Sequence, residues 1–367
     1  MKKLVYKIIL IFNFILAGLM IISSISVYIS PEKLWFFAFI GLLFPFILII
    51  NILFLIFWLL TKRRYFFISL AVILLCWNNL GKFVQFTLFK GRTPVEATYV
   101  KLLSYNVRLF NYYNWLKIKS AHQDILSCIE KEDAGVICIQ EFLTLTNTSF
   151  SEDSIKMILH RTPYAYIHYT DVSSDNKSLG LATFSKYPIV NKGYIGFENS
   201  PNASIFTDIK IHDDTIRLYN CHLQSTHLQK DNYNFLDSMV LSYSNRHLGQ
   251  LRDITSRLKN AYMKRAGQVK ILSSHIRKSP YPTLVCGDFN DTPVSYTYST
   301  LKDNLKDAYL ESGTGIGNTY FGSFPSFRID YILHSKTIGA FGFKTRRVKL
   351  SDHYPIVCNF YLKEREP

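Results

Sequence analysis

The stretch Leu284-Val285-Cys286-Gly287-Asp288-Phe289-Asn290-Asp291 decides the fold of this chain of 367 residues. Its apolar run predicts a buried strand, and the glycine that follows frees the backbone to turn. Asp288 and Asn290 lie on either side of a phenylalanine, so the strand end carries two polar side chains. Asp and Asn also favour simple turns, because they bond to their own backbone. The stretch alone therefore leaves a functional site and a plain turn open.

Five further segments combine apolar, strand-like runs with polar side chains at one end. Four of the segments end such a run, and the fifth lies just before the last predicted strand. They are Leu103-Ser104-Tyr105-Asn106, Val136-Ile137-Cys138-Ile139-Gln140-Glu141, Leu218-Tyr219-Asn220-Cys221-His222-Leu223, Arg328-Ile329-Asp330-Tyr331-Ile332-Leu333 and Ser351-Asp352-His353-Tyr354-Pro355-Ile356. Carboxylate, amide and imidazole groups are suited to metal and phosphate chemistry. Six such segments in one chain favour a site over isolated turns.

In their order along the chain, the six segments resemble the endonuclease/exonuclease/phosphatase superfamily. Its members include deoxyribonuclease-I-like nucleases, abasic-site endonucleases, neutral sphingomyelinases and inositol-polyphosphate phosphatases. The resemblance covers residues 98–362, and it implies an α/β fold, a four-layer α/β sandwich of two packed sheets flanked by helices. The pattern of the sequence agrees with this fold, because strand-like and helix-like runs alternate. The predicted strands are 99–105, 136–139, 181–184, 204–211, 215–221, 283–286, 329–333 and 356–361, and a helix is predicted over 120–131.

Hydrolysis of a phosphodiester requires charge neutralisation at the phosphoryl oxygens and a positioned, deprotonated water. Mg²⁺ is suited to the first task, because it prefers hard oxygen ligands and needs only one or two carboxylates to hold it. We expect Glu141 and Asn106 to be metal ligands. Asp352 either completes this site or helps to bind a second ion. Mn²⁺ is a possible substitute for Mg²⁺.

The remaining matched residues are expected to be catalytic. Asp288 is the candidate general base that activates water, and Asn290 would orient that water or bond the phosphoryl group. His353 would donate to a phosphate oxygen, while Asp330 would fix its tautomer and orientation. His222 is expected to be a second imidazole that faces the phosphate.

One residue departs from the pattern of the superfamily. Many of its nucleases have an acidic residue two positions after the asparagine of the first motif, where this chain has Arg108. The metal site then depends more on Glu141 and Asp352. Arg108 would suit an anionic group, and nearby aromatic residues could stack on a base, lie at a lipid headgroup or pack within the domain. These aromatic residues are Tyr112, Tyr113 and Trp115.

The first part of the chain has a different composition, dominated by Ile, Leu and Phe. Residues 1–90 are predicted to form a transmembrane region with about three helices, at 6–29, 36–60 and 65–84. The first two are long enough to cross a hydrocarbon core about 30 Å thick. The third is shorter, and a buried core helix remains an alternative for it. The catalytic domain is expected to follow at 98–362.

Cationic residues predict the orientation of this region, because loops rich in Lys and Arg tend to stay in the cytoplasm. Such residues lie at the amino terminus and separate the second predicted helix from the third: Lys2, Lys3, Lys7, Lys62, Arg63 and Arg64. The chain is therefore predicted to be a multi-pass protein of the cell (inner) membrane with its catalytic domain on the non-cytoplasmic side. Lys82, Lys90 and Arg92 weaken this prediction.

The formal net charge of +15 divides unevenly between the two parts. Residues 1–81 carry seven cations and one glutamate, which leaves +9 for the remainder. That excess is enough to attract a polyanion or an anionic bilayer but is diagnostic of neither. A predicted helical stretch at 229–262 is also basic, and either a solvated surface or a contact with substrate or lipid would explain it.

The sequence thus predicts a membrane-anchored, Mg²⁺-dependent phosphoesterase that hydrolyses phosphodiester bonds by attack of water activated by Asp288. Its substrate is either nucleic acid, as in a nuclease, or a phospholipid headgroup, as in a phospholipase C or sphingomyelinase. An inositol-phosphate phosphatase is a further alternative. A catalytically silent, membrane-tethered binding module is the alternative of another class. The N-terminal helices are expected to contact the membrane, and no protein partner is predicted.

Overall fold

The computed structural model describes residues 2–86, 99–118, 120–146, 148–172, 176–198, 200–226, 245–322 and 326–363. In chain order its strands are β1 (Val84–Gln85), β2 (Val100–Asn106), β3 (Val136–Leu145), β4 (Tyr164–Val172), β5 (Lys177–Ser185), β6 (Ile189–Gly196), β7 (Ala203–Ile211), β8 (Asp214–His222), β9 (Thr283–Asp288), β10 (Lys306–Asp307), β11 (Gly315–Ile316), β12 (Asp330–His334), β13 (Ile338–Thr345) and β14 (Ile356–Leu362). Residues 229–244 of the predicted basic helix lie outside the described residues.

The helices fall into two groups along the chain. The first group is α1 (Lys2–Ile25), α2 (Pro31–Leu34), α3 (Phe36–Leu42), α4 (Phe44–Thr61), α5 (Phe66–Leu75) and α6 (Trp77–Leu80), which we call the helical bundle. The second group is α7 (Ala121–Lys131), α8 (Glu152–Ile158), α9 (Asn245–Arg277), α10 (Tyr296–Lys302) and α11 (Ala308–Ser312). This second group belongs to the part of the chain that contains the two large sheets, residues 99–363, which we call the sandwich domain.

Two sheets of six strands form the centre of the sandwich domain. The first has the order β13-β14-β2-β3-β5-β4, and the second has the order β10-β12-β9-β8-β7-β6. Each contains one parallel pair, β2 with β3 and β8 with β9, between antiparallel neighbours. Because parallel strands point the same way, each pair brings two strand ends to one edge of its sheet.

Alternation of side chains along the strands builds three apolar layers. On β2, Leu102 packs in the layer between the two sheets, whereas the next residue, Leu103, packs with Ile125 of α7 on the outer side. On β9, Leu284 lies in the layer between the sheets and Val285 packs with Leu272 of α9. Burying one such side chain contributes roughly 1.5–3 kcal/mol. The predicted four-layer α/β sandwich is confirmed.

Three long strands of the structure, β4, β6 and β13, are missing from the sequence-based prediction. All three are edge strands. Their sequences mix apolar residues with glycine, polar or charged residues, and an edge strand is only partly covered by its neighbours.

The helical bundle differs in detail from the predicted helices. The segments Lys2–Tyr28 and Phe44–Thr61 are long and apolar enough to cross a membrane, by length and composition. The predicted helix at 36–60 is interrupted at Leu43, since Pro45 lacks the N–H that would continue the preceding helix. The predicted helix at 65–84 divides at Cys76 into α5 and α6, of 10 and 4 residues. Neither is long enough to span a bilayer alone.

Polar side chains lie inside the helical bundle. Asn13 is fully buried, donates from Nδ2 to Ser69 Oγ at 2.9 Å and accepts from Trp58 Nε1 at 2.9 Å. Large apolar side chains instead cover its outer surface, including Leu4, Phe12, Phe14, Leu53, Leu60 and Leu75. Small and polar residues at helix contacts, with apolar residues outside, are typical of helices that pack within lipid.

The bundle packs directly against the sandwich domain. The Phe39 ring lies 5.6 Å from that of Tyr262 on α9, and Lys259 Nζ lies 5.2 Å from the Trp35 ring. A side chain at Gly41 would place its Cβ 2.6 Å from the carbonyl oxygen of Val294, so the backbones are in close contact there. These contacts fix the end of the bundle that contains α2 and α3 to the helices of the second sheet.

A second connection lies where the chain leaves the bundle. Strand β1 pairs with β11 in antiparallel register, Val84 opposite Ile316. Tyr309 Oη donates to the carbonyl oxygen of Phe83 at 3.1 Å. The first connection is made to elements beside the second sheet, whereas Tyr309 packs in the layer between the two sheets, with its ring 5.6 Å from that of Phe343 on β13.

Candidate active site

Gly287 shapes the strand end that carries Asp288. Its φ is +128°, a conformation that side chains rarely adopt, and a Cβ there would lie 2.0 Å from the carbonyl oxygen of Cys221 on the neighbouring β8. The chain then turns, with Asn290 at φ +53° donating its N–H to Asp288 Oδ1 at 2.8 Å. Both glycine and turn therefore serve to present Asp288 at the edge of the sheet.

Asn106, Glu141 and Asp288 meet where the ends of the two parallel pairs face each other. Asn106 Nδ2 donates to Glu141 Oε1 at 3.1 Å and to Asp288 Oδ2 at 3.0 Å. Glu141 has φ +53° and lies in an irregularity of the pairing between β3 and β5. Such a bulge redirects a side chain, which here points to the edge rather than into a layer.

His353 and Asp330 form a hydrogen-bonded pair beside Asp288. His353 Nδ1 lies 2.9 Å from Asp330 Oδ2, and His353 Nε2 lies 3.7 Å from Asp288 Oδ2. Asp330 is positioned by register, because it lies opposite Asp288 in the antiparallel pair β12 and β9. The Asp330 carboxylate thus leaves Nε2 of His353 facing the site.

His222 lies at the end of β8, in register with Asp288 of the parallel strand β9. Its Nε2 is 3.7 Å from Glu141 Oε1 and 3.9 Å from Asp288 Oδ2. It therefore faces the same space as His353 from the other side of Asp288. Asn290 completes this side, since its Nδ2 donates to the carbonyl oxygen of Leu223 at 2.9 Å.

Asp352 is held by Arg108, whose Nε lies 3.3 Å from Asp352 Oδ2. The guanidinium of Arg108 also lies 4.6 Å from the Trp115 ring. The aromatic residues next to it contact one another, with ring centroids 5.0 Å apart for Tyr113 and Trp115, and they remain exposed. Arg108 thus lies between a carboxylate of the site and an exposed aromatic surface.

Burial and charge change the protonation of these groups. Burial, reinforced by the Asp330 carboxylate, raises the pKa of Asp288 to about 6. Burial and Asp352 likewise raise the pKa of Glu141. Burial alone would lower the pKa of His353, but the carboxylates of Asp330 and Asp288 raise it well above the usual value. This raised pKa favours the imidazolium form of His353, which donates a hydrogen bond to an anion.

The donor set fits a hard divalent cation. Four carboxylates converge here, those of Glu141, Asp288, Asp330 and Asp352, and burial raises the free energy of leaving them charged without a counterion. Ligand atoms of Asp288, Asp330 and His353 lie within 4.8 Å of one another. Carboxylate oxygens are the ligands that Mg²⁺ and Mn²⁺ prefer.

Asn106 faces this cluster with its amide nitrogen, while its Oδ1 accepts the N–H of Arg108 at 3.0 Å. In this orientation it joins two carboxylates. The sequence-based assignment of Asn106 as an oxygen ligand would require the amide to turn over.

The structure adds residues that the sequence-based assignment missed. Ser351 Oγ donates to the carbonyl oxygen of Asn106 at 2.8 Å and accepts from His353 N at 3.2 Å, so it connects two motifs. The Tyr320 ring lies 5.2 Å from that of His353. The sequence offered a reason to select Ser351, because this residue begins a matched segment. It offered no such pattern at Tyr320. Arg328 lies away from the site, buried against Asp307 at 2.7 Å.

Comparison with known proteins agrees with this geometry. The model of the Endonuclease/Exonuclease/phosphatase family matches residues 103–353. The chain belongs to the endonuclease/exonuclease/phosphatase family. A domain of unknown function (DUF8431) matches residues 6–83, within the helical bundle and its exit. No curated protein sequence matches the chain.

Solved structures of this family have a similar fold. An endonuclease/exonuclease/phosphatase from Beutenbergia cavernae is 14% identical over 72% of each chain, with a TM-score of 0.53. A family protein from Bacteroides thetaiotaomicron is 17% identical over 73% of this chain and 99% of that one, with a TM-score of 0.52. The human Nocturnin catalytic domain, solved with bound sulfate, is 17% identical over 72% and 95%, with a TM-score of 0.50.

Family membership confirms the resemblance stated from the sequence and the predicted class of enzyme. The sandwich domain of this family member is a metal-dependent hydrolase that acts on phosphoric ester bonds. The site at the paired strand ends contains the acids and imidazoles that this chemistry needs.

Proposed function

We propose that the chain is a membrane-anchored, Mg²⁺-dependent phosphodiesterase with nuclease-like activity. The observation that carries this proposal is the meeting of Glu141, Asp288 and His353 at one edge of the sandwich. An anion binder needs only the imidazolium. The adjacent buried carboxylates add what hydrolysis requires, a base and ligands for a cation.

In this proposal, Glu141 and Asp352 hold Mg²⁺, together with Asn106 once its amide has turned its oxygen inward. When bound, the ion supplies positive charge that polarises the phosphoryl group and offsets the charge of the transition state. Mn²⁺ can substitute for it. Asp330 and His353 lie beside Asp288 and could hold a second ion, but their mutual hydrogen bond at 2.9 Å favours a role in phosphate binding.

The other residues act on the water and the phosphate. Asp288 accepts a proton from the attacking water, and the amide of Asn290 orients that water or the phosphoryl group. His353 donates from Nε2 to a phosphate oxygen, while Asp330 keeps the imidazole protonated and correctly rotated. His222 donates to the phosphate from the opposite side of Asp288. Each role follows from which atoms face the shared space.

We also propose that residues 1–90 anchor the chain in the cell (inner) membrane, and that 98–362 form a catalytic domain on the non-cytoplasmic side. The cationic residues at the start of α1 and after α4 are separated by the length of these helices from the end that packs on the sandwich domain. The third crossing combines α5, α6 and the turn after them, whose backbone at Phe83 reaches the sandwich domain. Together these elements form a longer segment than α5 alone.

Hydrolysis of a phospholipid headgroup is the second candidate function. The packing of Phe39 and Trp35 against α9 favours it, because these contacts hold the sandwich domain next to the bilayer. An inositol phosphate at such a surface is a related substrate. All of these candidate functions use the same active site, and they differ only in the substrate that enters it.

A panel of substrates decides between the candidates. The purified full chain, in an uncharged detergent with Mg²⁺, would be given DNA, RNA, sphingomyelin, phosphatidylinositol phosphates and simple monoesters. Metal-dependent cleavage of nucleic acid that is faster than that of lipid supports the leading proposal. Preferential cleavage of lipid would replace it with the second candidate. Equal rates for the wild type and Asp288→Ala on every substrate would indicate a catalytically silent module.

A further inference from the structure

A basic cleft lies at the edge of the first sheet opposite the candidate active site. Its volume is about 730 Å³, and it lies between the start of β2, the turn before β3, the turn after β5 and the end of β13. Strand β2 runs from this cleft to Asn106 over seven residues. At about 3.3 Å per residue, the cleft is roughly 20 Å from the site.

Cations outnumber carboxylates in the cleft walls. Glu132 is paired with Lys101 at 2.9 Å and with Arg346 at 2.6 Å, so these two cations are largely neutralised. On the walls that the structure describes, Lys186 and Lys344 are exposed and have no ion-pair partner. Positive charge in a concave surface attracts anions more strongly than the same charge on a flat surface.

Tyrosine rings lie among these cations. Tyr99 is half exposed at the mouth of the cleft. Tyr187 lines the wall over Gly135, where a Cβ would lie 3.2 Å from the ring and partly fill the space beneath it. Aromatic rings beside unpaired lysines are the combination that binds single-stranded nucleic acid, since bases stack on the rings and lysines contact the phosphates.

The position of the cleft favours a soluble polyanion over a bilayer. Its lining comes from the first sheet and the loops around it, whereas Tyr262 and Val294, which contact the helical bundle, belong to α9 and to the loop after β9, beside the second sheet. The cleft lies apart from these two contacts. Its concave shape would also hold a strand but not the surface of a membrane.

We propose that this cleft, through Lys186, Lys344 and Tyr99, binds single-stranded nucleic acid at a distance from the site that cleaves it. The proposal rests on the nuclease-like function stated above and specifies its substrate. A strand that occupies both places must follow the surface of the domain, over more than the straight-line separation of roughly 20 Å. Strands longer than this path reach both places, and shorter ones occupy only one.

The experiment measures binding without catalysis. The full chain in uncharged detergent micelles would be titrated into a fluorescein-labelled oligothymidylate of 20 nucleotides, in EDTA, at several salt concentrations. The test variant is Lys186→Glu/Lys344→Glu. The matched control is Lys278→Glu/Lys336→Glu, which makes the same change of charge at exposed lysines outside the cleft.

We expect the test variant to bind at least 10-fold more weakly than the wild type at 0.1 M salt, and the control less than 3-fold more weakly. Loss of two phosphate contacts should also reduce the slope of log Kd against log salt by about 1.4. Tyr99→Ser should weaken binding by about 5-fold or more without changing that slope, because stacking does not release counterions. A thermal melt of each variant checks its folding.

Equal binding by test and control variants would overturn the proposal. The proposal would also be overturned if the test variant lost binding to vesicles that contain phosphatidylserine but bound the oligonucleotide as tightly as the wild type. The cleft would then contact lipid. Failure of the proposed function gives a different result: the wild type would bind the oligonucleotide in EDTA but not cleave it with Mg²⁺. Where cleavage occurs, KM for the 20-nucleotide strand should rise in the test variant by at least as much as Kd.

Discussion

Glu141 and Asp288 accept hydrogen bonds from the same amide nitrogen, that of Asn106, at 3.1 and 3.0 Å. Glu141 belongs to the first sheet and Asp288 to the second, so one side chain joins the two sheets at the site. The geometry therefore depends on how the sheets pack, and not on a single loop. Charged groups held in this way need little reorganisation when a phosphate binds.

Glu141 and His353 should affect different steps. Because we assign Glu141 to the metal, Glu141→Ala should raise the Mg²⁺ concentration for half-maximal activity by about 10-fold or more. His353→Ala removes a donor to the phosphate and should lower kcat by roughly 10²–10³, with less than a 3-fold change in that concentration. Metal titrations of activity measure both. Superimposable titrations for the two variants would contradict this division of roles.

Gly41 tests the contact between the bundle and the sandwich domain. A Cβ there would lie 2.6 Å from both Ser26 Oγ and the Val294 carbonyl oxygen, so Gly41→Ala should force the two parts to separate and lower the melting temperature. Gly18→Ala is the control, because nothing lies within 4 Å of its added Cβ and alanine favours a helix by up to about 1 kcal/mol. Equal melting temperatures for the two variants would indicate that the contact is not formed.

The proposed orientation can be measured with fusions in a Gram-negative host. Alkaline phosphatase folds only outside the cytoplasm, where disulfides form, so a fusion after residue 363 should be active. A fusion after Arg64 should be inactive, because the cationic turn there is expected to stay inside. The opposite pattern would place the catalytic domain in the cytoplasm.

His122 should make stability depend on pH. Its ring is buried and stacks on Phe150 at 3.6 Å, and burial lowers its pKa to about 4. The unfolded chain, with an ordinary value near 6.5, takes up the proton first as the pH falls. The contribution of neutral, buried His122 to the free energy of unfolding is therefore complete above about pH 6.5. It declines towards pH 4, and about 2 kcal/mol of it is lost at pH 5.

The variant His122→Phe keeps the stacked ring and removes the titration. We expect its melting temperature to fall less than that of the wild type between pH 7 and pH 5. Other buried histidines, such as His334, remain in both proteins, so the comparison isolates His122. Parallel losses in the two proteins would show that protonation of His122 does not destabilise the fold.

The strand ends were predictable from the sequence because each motif has a local cause. An apolar run gives a strand, and Gly287 or the bulge at Glu141 gives a turn that presents the next polar residue. The pairing register of β8, β9 and β12 then places His222, Asp288 and Asp330 next to one another. To predict these positions, it is enough to assign the apolar runs as strands of the two sheets.

Other features depend on contacts that no local pattern encodes. The edge-to-face contact of Tyr320 with His353 depends on the loop before β12, and the packing of Phe39 on Tyr262 joins residues far apart in sequence. The place of β4 and β13 at the edges of their sheet depends on pairing with β5 and β14. The direction of the Asn106 amide is set by the N–H of Arg108, which only a three-dimensional arrangement reveals.

The most direct measurement of the central claim is the Mg²⁺-dependent hydrolysis of bis(p-nitrophenyl) phosphate by the full chain and by Asp288→Asn. This substitution keeps the size of the side chain and removes the base. We expect kcat to fall by at least about 10² while the melting temperature stays within a few degrees of the wild type. Equal kcat values for the two folded proteins would contradict the proposal that Asp288 activates the attacking water.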